Sequence, residues 1–199
     1  MEIIKIKNKE PRTISADIGK IIDTIKKGGV VVFPTDTVYG LLSDATNKKA
    51  VAKLLRIKRR RRGHFLPLFV KNLRDAKKNA QIDAREESFL KIFWPGQITV
   101  VLKRKKGIKL YGVDKKTIAL RIPDFPLLNS LLKKITIPLT ATSANISGKM
   151  PSGKIKEVLK QFSNSKYRPD LAVNVGPLPK RKSSIIIDLT KDIPKLLRM

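Results

Sequence analysis

The run Val30-Val31-Val32-Phe33 constrains the fold more than any other feature of the chain. It is short and apolar at every position, the pattern of a strand in a sheet covered on both faces. Gly28-Gly29 precedes it and Pro34 follows it, so the chain arrives from a helix end and leaves into a loop. The stretch before the glycines reads as a helix from Ser15, its N-cap, to Lys27, with Ile18, Ile21, Ile22 and Ile25 on one face. The same alternation continues. Helices are expected over 48–58 with Asn47 as cap, over 84–93 before Trp94-Pro95, over 126–134 behind Pro126, and over 155–162 with Ser152 as cap. Strands are expected at 3–6, 66–70, 98–102, 117–122, 137–140, 171–175 and 184–189. Lys103 to Lys116, basic and glycine-containing, reads as an exposed excursion. No repeat and no linker interrupts the mixture. It predicts one α/β domain over residues 1–199 with a twisted, mixed sheet.

Composition removes several kinds of chemistry. The chain has no cysteine, which excludes disulfides, thiolate zinc sites, iron–sulfur clusters and cysteine nucleophiles. It has one histidine, His64, so a multi-histidine metal site is excluded. No apolar run approaches the roughly 18 residues of a membrane span. The opening MEIIKIKNKEP has no apolar signal core, and the cytoplasm is the expected compartment.

Charge points to partners rather than to fold. Lys and Arg total 44 against 16 Asp and Glu, a net charge of +28. RNA, DNA, nucleotides or anionic lipid are the natural partners of such a surface. Scattered lysines read equally well as solvated faces. The run Arg56-Ile57-Lys58-Arg59-Arg60-Arg61-Arg62 does not, because it concentrates repulsion that an anion would relieve. In that run Arg60 and Arg62 are expected to face a cavity, and Arg59 and Arg61 to face solvent.

Three polar segments follow apolar ones: residues 34–40, residues 141–148, and Ser183-Ser184. Strand ends of α/β sheets are where ligands bind. Hydroxyl-rich loops beside a cluster of Lys and Arg suit a nucleoside triphosphate, with hydrogen bonds to base and ribose and cations on phosphate oxygens. Neither GxxxxGK[ST] nor GxGxxG occurs. Taken singly, Thr35, Ser143 and Asn145 read as ordinary turn and cap residues.

Their combination is more specific. Pro34-Thr35-Asp36-Thr37-Val38-Tyr39-Gly40-Leu41 resembles the PT(E/D)TVYGL opening of the YrdC/Sua5 family, the threonylcarbamoyl-AMP synthases. Lys58-Arg59-Arg60 is similar to its KxR element, 65–70 to PLPVLV, 94–99 to WPGPLT, and 118–123 to VAVRxP. Residues 142–148 match TSANxSG, 184–188 match STVVD, and 196–198 match the terminal LLR. The resemblance runs from about Ala16 to Arg198. It implies an open α/β fold, a twisted mixed sheet with helices around a large basic cavity. It also implies synthesis of threonylcarbamoyl-AMP and pyrophosphate from L-threonine, bicarbonate and ATP, with Mg²⁺ carried by the phosphates. A threonylcarbamoyl-transferase machinery would then modify adenosine 37 of tRNA. The chain lacks room for the second domain of Sua5, so the short single-domain form is expected.

Residue by residue, the resemblance implies that Lys58 and Arg60 are catalytic. It puts Lys58, Arg60, Arg62, Thr117, Ser143, Asn145, Ser152 and Arg198 around ATP. Thr35, Arg121, Ala141 and Ser184 fall around L-threonine. The chemistry agrees, since a substrate carboxylate suits a bidentate arginine such as Arg121, and a substrate hydroxyl suits Thr35 or Ser184. No general base and no protein-bound metal are assigned, and His64 reads as a solvated loop residue. Arg61, Phe65 and Ile185 depart from the family pattern, where proline, proline and threonine are usual. Two other readings stand beside the enzyme. One is a non-catalytic protein binding tRNA or double-stranded RNA. The other is a carbamoyl-transferring relative of hydrogenase maturation, against which the length and the absence of cysteine both argue.

Overall fold

In the structure, a computed structural model that describes residues 1–6, 11–60, 65–107 and 109–199, strands and helices alternate as the sequence predicts. The first half comprises β1 (Glu2–Lys5), α1 (Pro11–Lys26), β2 (Val31–Phe33), β3 (Gly40–Leu42), α2 (Lys48–Ile57), β4 (Leu68–Phe69), α3 (Leu73–Asn79) and α4 (Ala84–Phe93). Then come β5 (Ile98–Lys103), β6 (Thr117–Arg121), α5 (Pro126–Lys134), β7 (Leu139–Thr140), β8 (Thr142–Ser143), α6 (Ile155–Phe162), β9 (Leu171–Asn174), β10 (Ile185–Asp188) and β11 (Lys195–Arg198).

The strands form two mixed sheets, not one. The first runs β1-β9-β2-β3-β8 and the second β11-β10-β5-β6-β4-β7. The expected strand at 137–140 and the loop after it explain the split. Leu139–Thr140 pairs with β4, and Thr142–Ser143 pairs with β3. A single residue, Ala141, carries the chain from one sheet to the other, its N–H bonded to the Pro67 carbonyl at 2.7 Å.

The apolar run behaves as a strand covered on both faces. Val31 and Phe33 join Ile18, Ile21 and Ile25 of α1 and Leu128 and Leu131 of α5. Val32 points the other way, into a cluster with Leu54 and Ile57 of α2 and Val158 and Phe162 of α6. In the second sheet Leu68, Val100, Leu102, Ile118 and Leu120 pack on α3 and α4 through Ala76, Ala80 and Leu90. Strand alternation then turns Val101, Thr117, Ala119, Arg121, Ile186 and Asp188 to the opposite face. That face forms the floor of a cavity.

Several local expectations change. Helix α1 begins at Pro11, ahead of Ser15. Ser152 does not cap α6, whose N-cap position is Lys154. Its Oγ accepts from the Lys154 N–H at 2.9 Å and donates to Glu157 Oε2 at 2.6 Å. The excursion is anchored at its apolar centre. Leu110 is buried, the Tyr111 N–H bonds to Ala45 O at 2.8 Å, and the Leu66 N–H bonds to Gly112 O at 2.6 Å. Asn47 caps α2 as predicted, its Oδ1 accepting from the Lys49 and Ala50 N–H groups.

Candidate active site

Residues 34–39 connect β2 to β3 and are closed at their base by the Phe33–Gly40 pair. The Thr35 hydroxyl shapes this loop. It donates to Val38 O at 2.7 Å and accepts from the Thr37 N–H at 3.1 Å. Pairing of β3 with β8 lays Gly40 beside Ser143, which brings the 141–148 loop against the 34–39 loop. The approach is tight: a Cβ on Gly40 would stand 3.3 Å from Thr142 O, so a side chain there would need the backbone to give by a few tenths of an ångström.

The basic cluster enters at the end of α2. Lys58 is the C-cap, Arg59 adopts φ 51°, and the Arg60 N–H reaches back to Leu55 O at 2.9 Å. This 6→1 closure with a left-handed residue is a Schellman turn. It exposes Arg59 at the cavity rim and leaves Arg60 half-buried on the wall. Lys58 is 3% exposed. Its Nζ donates to Ser143 O at 2.6 Å, Asn145 O at 3.1 Å and Asn145 Oδ1 at 3.1 Å. Ser143 Oγ donates to the same Oδ1 at 2.6 Å, and the Ser147 N–H returns to Lys58 O at 2.8 Å. Burial, and then the neighbouring Arg60 charge, pull the Lys58 ammonium down to about 7. Arg60 is lowered by burial as well.

The sheet floor supplies the rest. Thr117 and Arg121 share one face of β6, four residues and so about 13 Å apart. Asp114 Oδ1 accepts from the Lys116 and Thr117 N–H groups, which hold its carboxyl below the usual range. Arg121 is not the free fork that a carboxylate-binding role suggests. Its Nε donates to Gly96 O at 2.9 Å and its Nη2 to Asp36 Oδ1 at 2.6 Å, so the edge shared by those two nitrogens is taken. Nη1 makes a long 3.4 Å contact with Thr37 Oγ1. Burial lowers the Arg121 guanidinium and Asp36 offsets part of that. At the far end Ser184 Oγ lies 2.9 Å from Thr99 Oγ1, and Arg198 donates twice to Ser184 O, from Nε at 3.1 Å and from Nη2 at 2.6 Å.

These groups surround one cavity of about 850 Å³, within the range of small-molecule sites. Of the twelve candidate residues, ten line it: Thr35, Lys58, Arg60, Thr117, Arg121, Ala141, Ser143, Asn145, Ser184 and Arg198. Ser152 does not, and Arg62 lies outside the described residues, as do Arg61 and His64. Among the described residues the wall carries five cationic side chains, those of Lys58, Arg59, Arg60, Arg121 and Arg198, against the carboxylates of Asp114 and Asp188. Sequence reasoning passed over Asp36, Thr37, Asp114 and Asp188. The signal for Asp36 was its type: a carboxylate in an uncharged loop of a chain with so few acids.

The chain is an α/β protein with a cavity between two sheets, whose size and whose paired and unpaired cations suit an anionic small molecule. The chain belongs to the Sua5/YciO/YrdC family, whose profile, described as "Telomere recombination", matches residues 23–199. A Methanocaldococcus jannaschii protein, provisionally named a threonylcarbamoyl-AMP synthase, is 35% identical over 177 residues, 87% of this chain and 82% of its own. The uncharacterized YciO of Escherichia coli is 30% identical over 183 residues, 91% of this chain and 87% of its own. Its crystal structure superposes with a TM-score of 0.82 over 99% of this chain and 93% of YciO. The crystal structure of P. abyssi Sua5 complexed with L-threonine superposes with a TM-score of 0.86 at 30% identity. That match covers 100% of this chain but only 57% of the Sua5 chain.

Proposed function

We propose that the chain is an L-threonylcarbamoyladenylate synthase, a nucleotidyltransferase of the tRNA-modification apparatus in the cytoplasm. The observation that carries this is the convergence of ten candidate residues from six separate segments on one cavity. The name of the M. jannaschii relative and the L-threonine in P. abyssi Sua5 support the same reading.

Threonine's neutral amine condenses with bicarbonate to give a carbamate, and water leaves. A carbamate oxygen then attacks the α-phosphorus of ATP, the bond to the β-phosphate oxygen breaks, and pyrophosphate leaves. ATP enters with Mg²⁺ on its phosphates. Lys58, Arg60 and Arg198 serve the phosphates, where charge grows in the transition state. Ser143 and Asn145 hold Lys58 in place, and Thr117 lies on the nucleotide side. Arg121 offers its remaining edge to the threonine carboxylate, and Thr35, Ala141 and Ser184 enclose the side chain. Positioning supplies most of the acceleration, since no covalent intermediate is needed.

The test is pyrophosphate release from ATP and bicarbonate with and without L-threonine. Threonine-dependent release, with threonylcarbamoyl-AMP detected by mass, is expected. Pyrophosphate released equally without threonine, or never released, overturns the reading. The charge of +28 also favours tRNA or double-stranded RNA as a partner, and RNA binding is compatible with the enzyme rather than a substitute for it.

A further inference from the structure

The cavity must hold two anions of different charge side by side, a polyphosphate and an amino-acid carboxylate. We propose that Asp36 sorts them: by pairing with Arg121 it reserves that arginine for a single carboxylate and confines polyphosphate to Lys58, Arg60 and Arg198. This rests on the function proposed above.

Asp36 is absent from the cavity wall, and its side chain is 1% exposed. It therefore acts through Arg121, as a positioning residue. The ion pair is 2.6 Å long, with Arg121 5% exposed. Asp36 is itself held from three directions. Its Oδ2 accepts from the Asp124 N–H at 3.2 Å, and its carbonyl accepts from Gln97 Nε2 at 3.2 Å and Arg181 Nη1 at 3.1 Å. So fixed, it takes Arg121 Nη2 while Gly96 O takes Nε, and the Nη1 side, held only by the long 3.4 Å contact with Thr37 Oγ1, remains for a ligand. That side matches one carboxylate.

The charges divide the same way. Arg121 and Asp36 together sum to zero. Among the described residues no carboxylate lies within ion-pair distance of Lys58, Arg60 or Arg198. Those three cations of the cavity wall are left for a highly charged ligand. Arg121, Arg60 and Arg198 line the same cavity, and after burial the fields of Arg121 and Arg60 pull Arg198 down. A polyphosphate held by Arg198 is therefore close enough to feel Arg121. Without Asp36, Arg121 would be one more uncompensated buried cation, and a multiply charged phosphate chain would outcompete a singly charged carboxylate for it.

The experiment uses the full chain as wild type, Asp36→Asn, Asp36→Glu and the double variant Asp36→Asn/Arg121→Gln. Tripolyphosphate is the inhibitor in the pyrophosphate-free readout of threonylcarbamoyl-AMP, and calorimetry measures threonine binding with and without it. In wild type tripolyphosphate should compete with ATP and not with threonine. In Asp36→Asn it should become competitive with threonine, and the threonine KM should rise about tenfold while the ATP KM changes little. Asp36→Glu should restore the wild-type pattern. The double variant should bind threonine poorly yet show no competition by tripolyphosphate.

Unchanged inhibition in Asp36→Asn, or equal rises in both KM values with an unchanged pattern, overturns the proposal, because a merely structural role would act that way. If Asp36→Asn does not fold, Asp36→Ser takes its place: competition between tripolyphosphate and threonine in that variant supports the proposal, and its absence overturns it. Failure of the wild type to form threonylcarbamoyl-AMP would overturn the proposed function instead, and the calorimetric competition would still test the sorting.

Discussion

Lys58 is a buried cation that three oxygen acceptors hold and no described carboxylate neutralises. An ordinary lysine gives up its proton near 10.5; Lys58 does so at about 7. Between those values the unfolded chain carries a proton that the folded, ligand-free chain has lost. Stability therefore rises with pH across that window, and below pH 7 the desolvated ammonium weighs on the fold in full. A bound triphosphate reverses the preference, because its negative charge favours the ammonium. Above pH 7 ATP binding should take up close to one proton, and affinity should fall by up to about tenfold per pH unit. Calorimetry in two buffers of different ionisation heat measures the uptake. Lys58→Met should remove it, and uptake that persists in that variant would assign the proton to another group. The same substitution should lower turnover by about 10²-fold or more, as for other electrostatic stabilisers. The place of Lys58 at a helix end was legible in the sequence. Its bonds to Ser143 and Asn145 were not, because they exist only once β8 lies beside β3.

At the scale of elements, the chain is most readable where a cap and an apolar period agree. Helices α4 and α5 fall on the residues expected of them, and α2 begins at its expected cap. Asn47 caps α2 with two backbone N–H groups, and α2 carries Lys58 at its other end. Asn47→Ala should cost about 1 kcal/mol. In a chain of this size that lowers Tm by roughly 2–4 °C, with little change in KM for either substrate. Gly112 should be less forgiving. It sits at φ 71°, and a Cβ there would meet Val51 Cγ1 at 2.9 Å and Leu66 Cδ1 at 3.0 Å. Gly112→Ala adds backbone strain to a clash with the core of α2, and should cost more than the Asn47 change in thermal unfolding. The missed elements are those whose pattern is too short to have a period. β8 is two residues long, and β11 is exposed at all four positions. Helix α3 has seven residues, and its one signal, Asn72 accepting from the Asp75 N–H, resembles any Asx turn.

At the scale of the molecule, composition and pattern settle the class but not the division into two sheets, which turns on Ala141 and on pairings distant in sequence. The cavity arises from that division, so its residues were legible only through their likeness to a family's motifs. Net charge poses the remaining question, whether the surface and the cavity bind different partners. Of the cavity cations Lys58 and Arg121 are buried and Arg60 is half-buried, whereas Lys105, Lys106 and Lys109 stand exposed in the excursion between β5 and β6. Exposed charges act through counterion release, at a range of about 8 Å at physiological salt, and read no sequence. RNA affinity should therefore fall linearly with the logarithm of salt concentration and vary little between RNA sequences. Replacing Lys105, Lys106 and Lys109 by Glu should reduce that salt slope by about three, while threonine-dependent pyrophosphate release at physiological salt stays near wild type. Lys58→Met should do the reverse, removing pyrophosphate release and leaving the slope unchanged. If the surface variant lost catalysis, or the Lys58 variant lost RNA, nucleic acid and nucleotide would share one site, and the high charge would belong to the cavity's chemistry rather than to a separate RNA-binding surface.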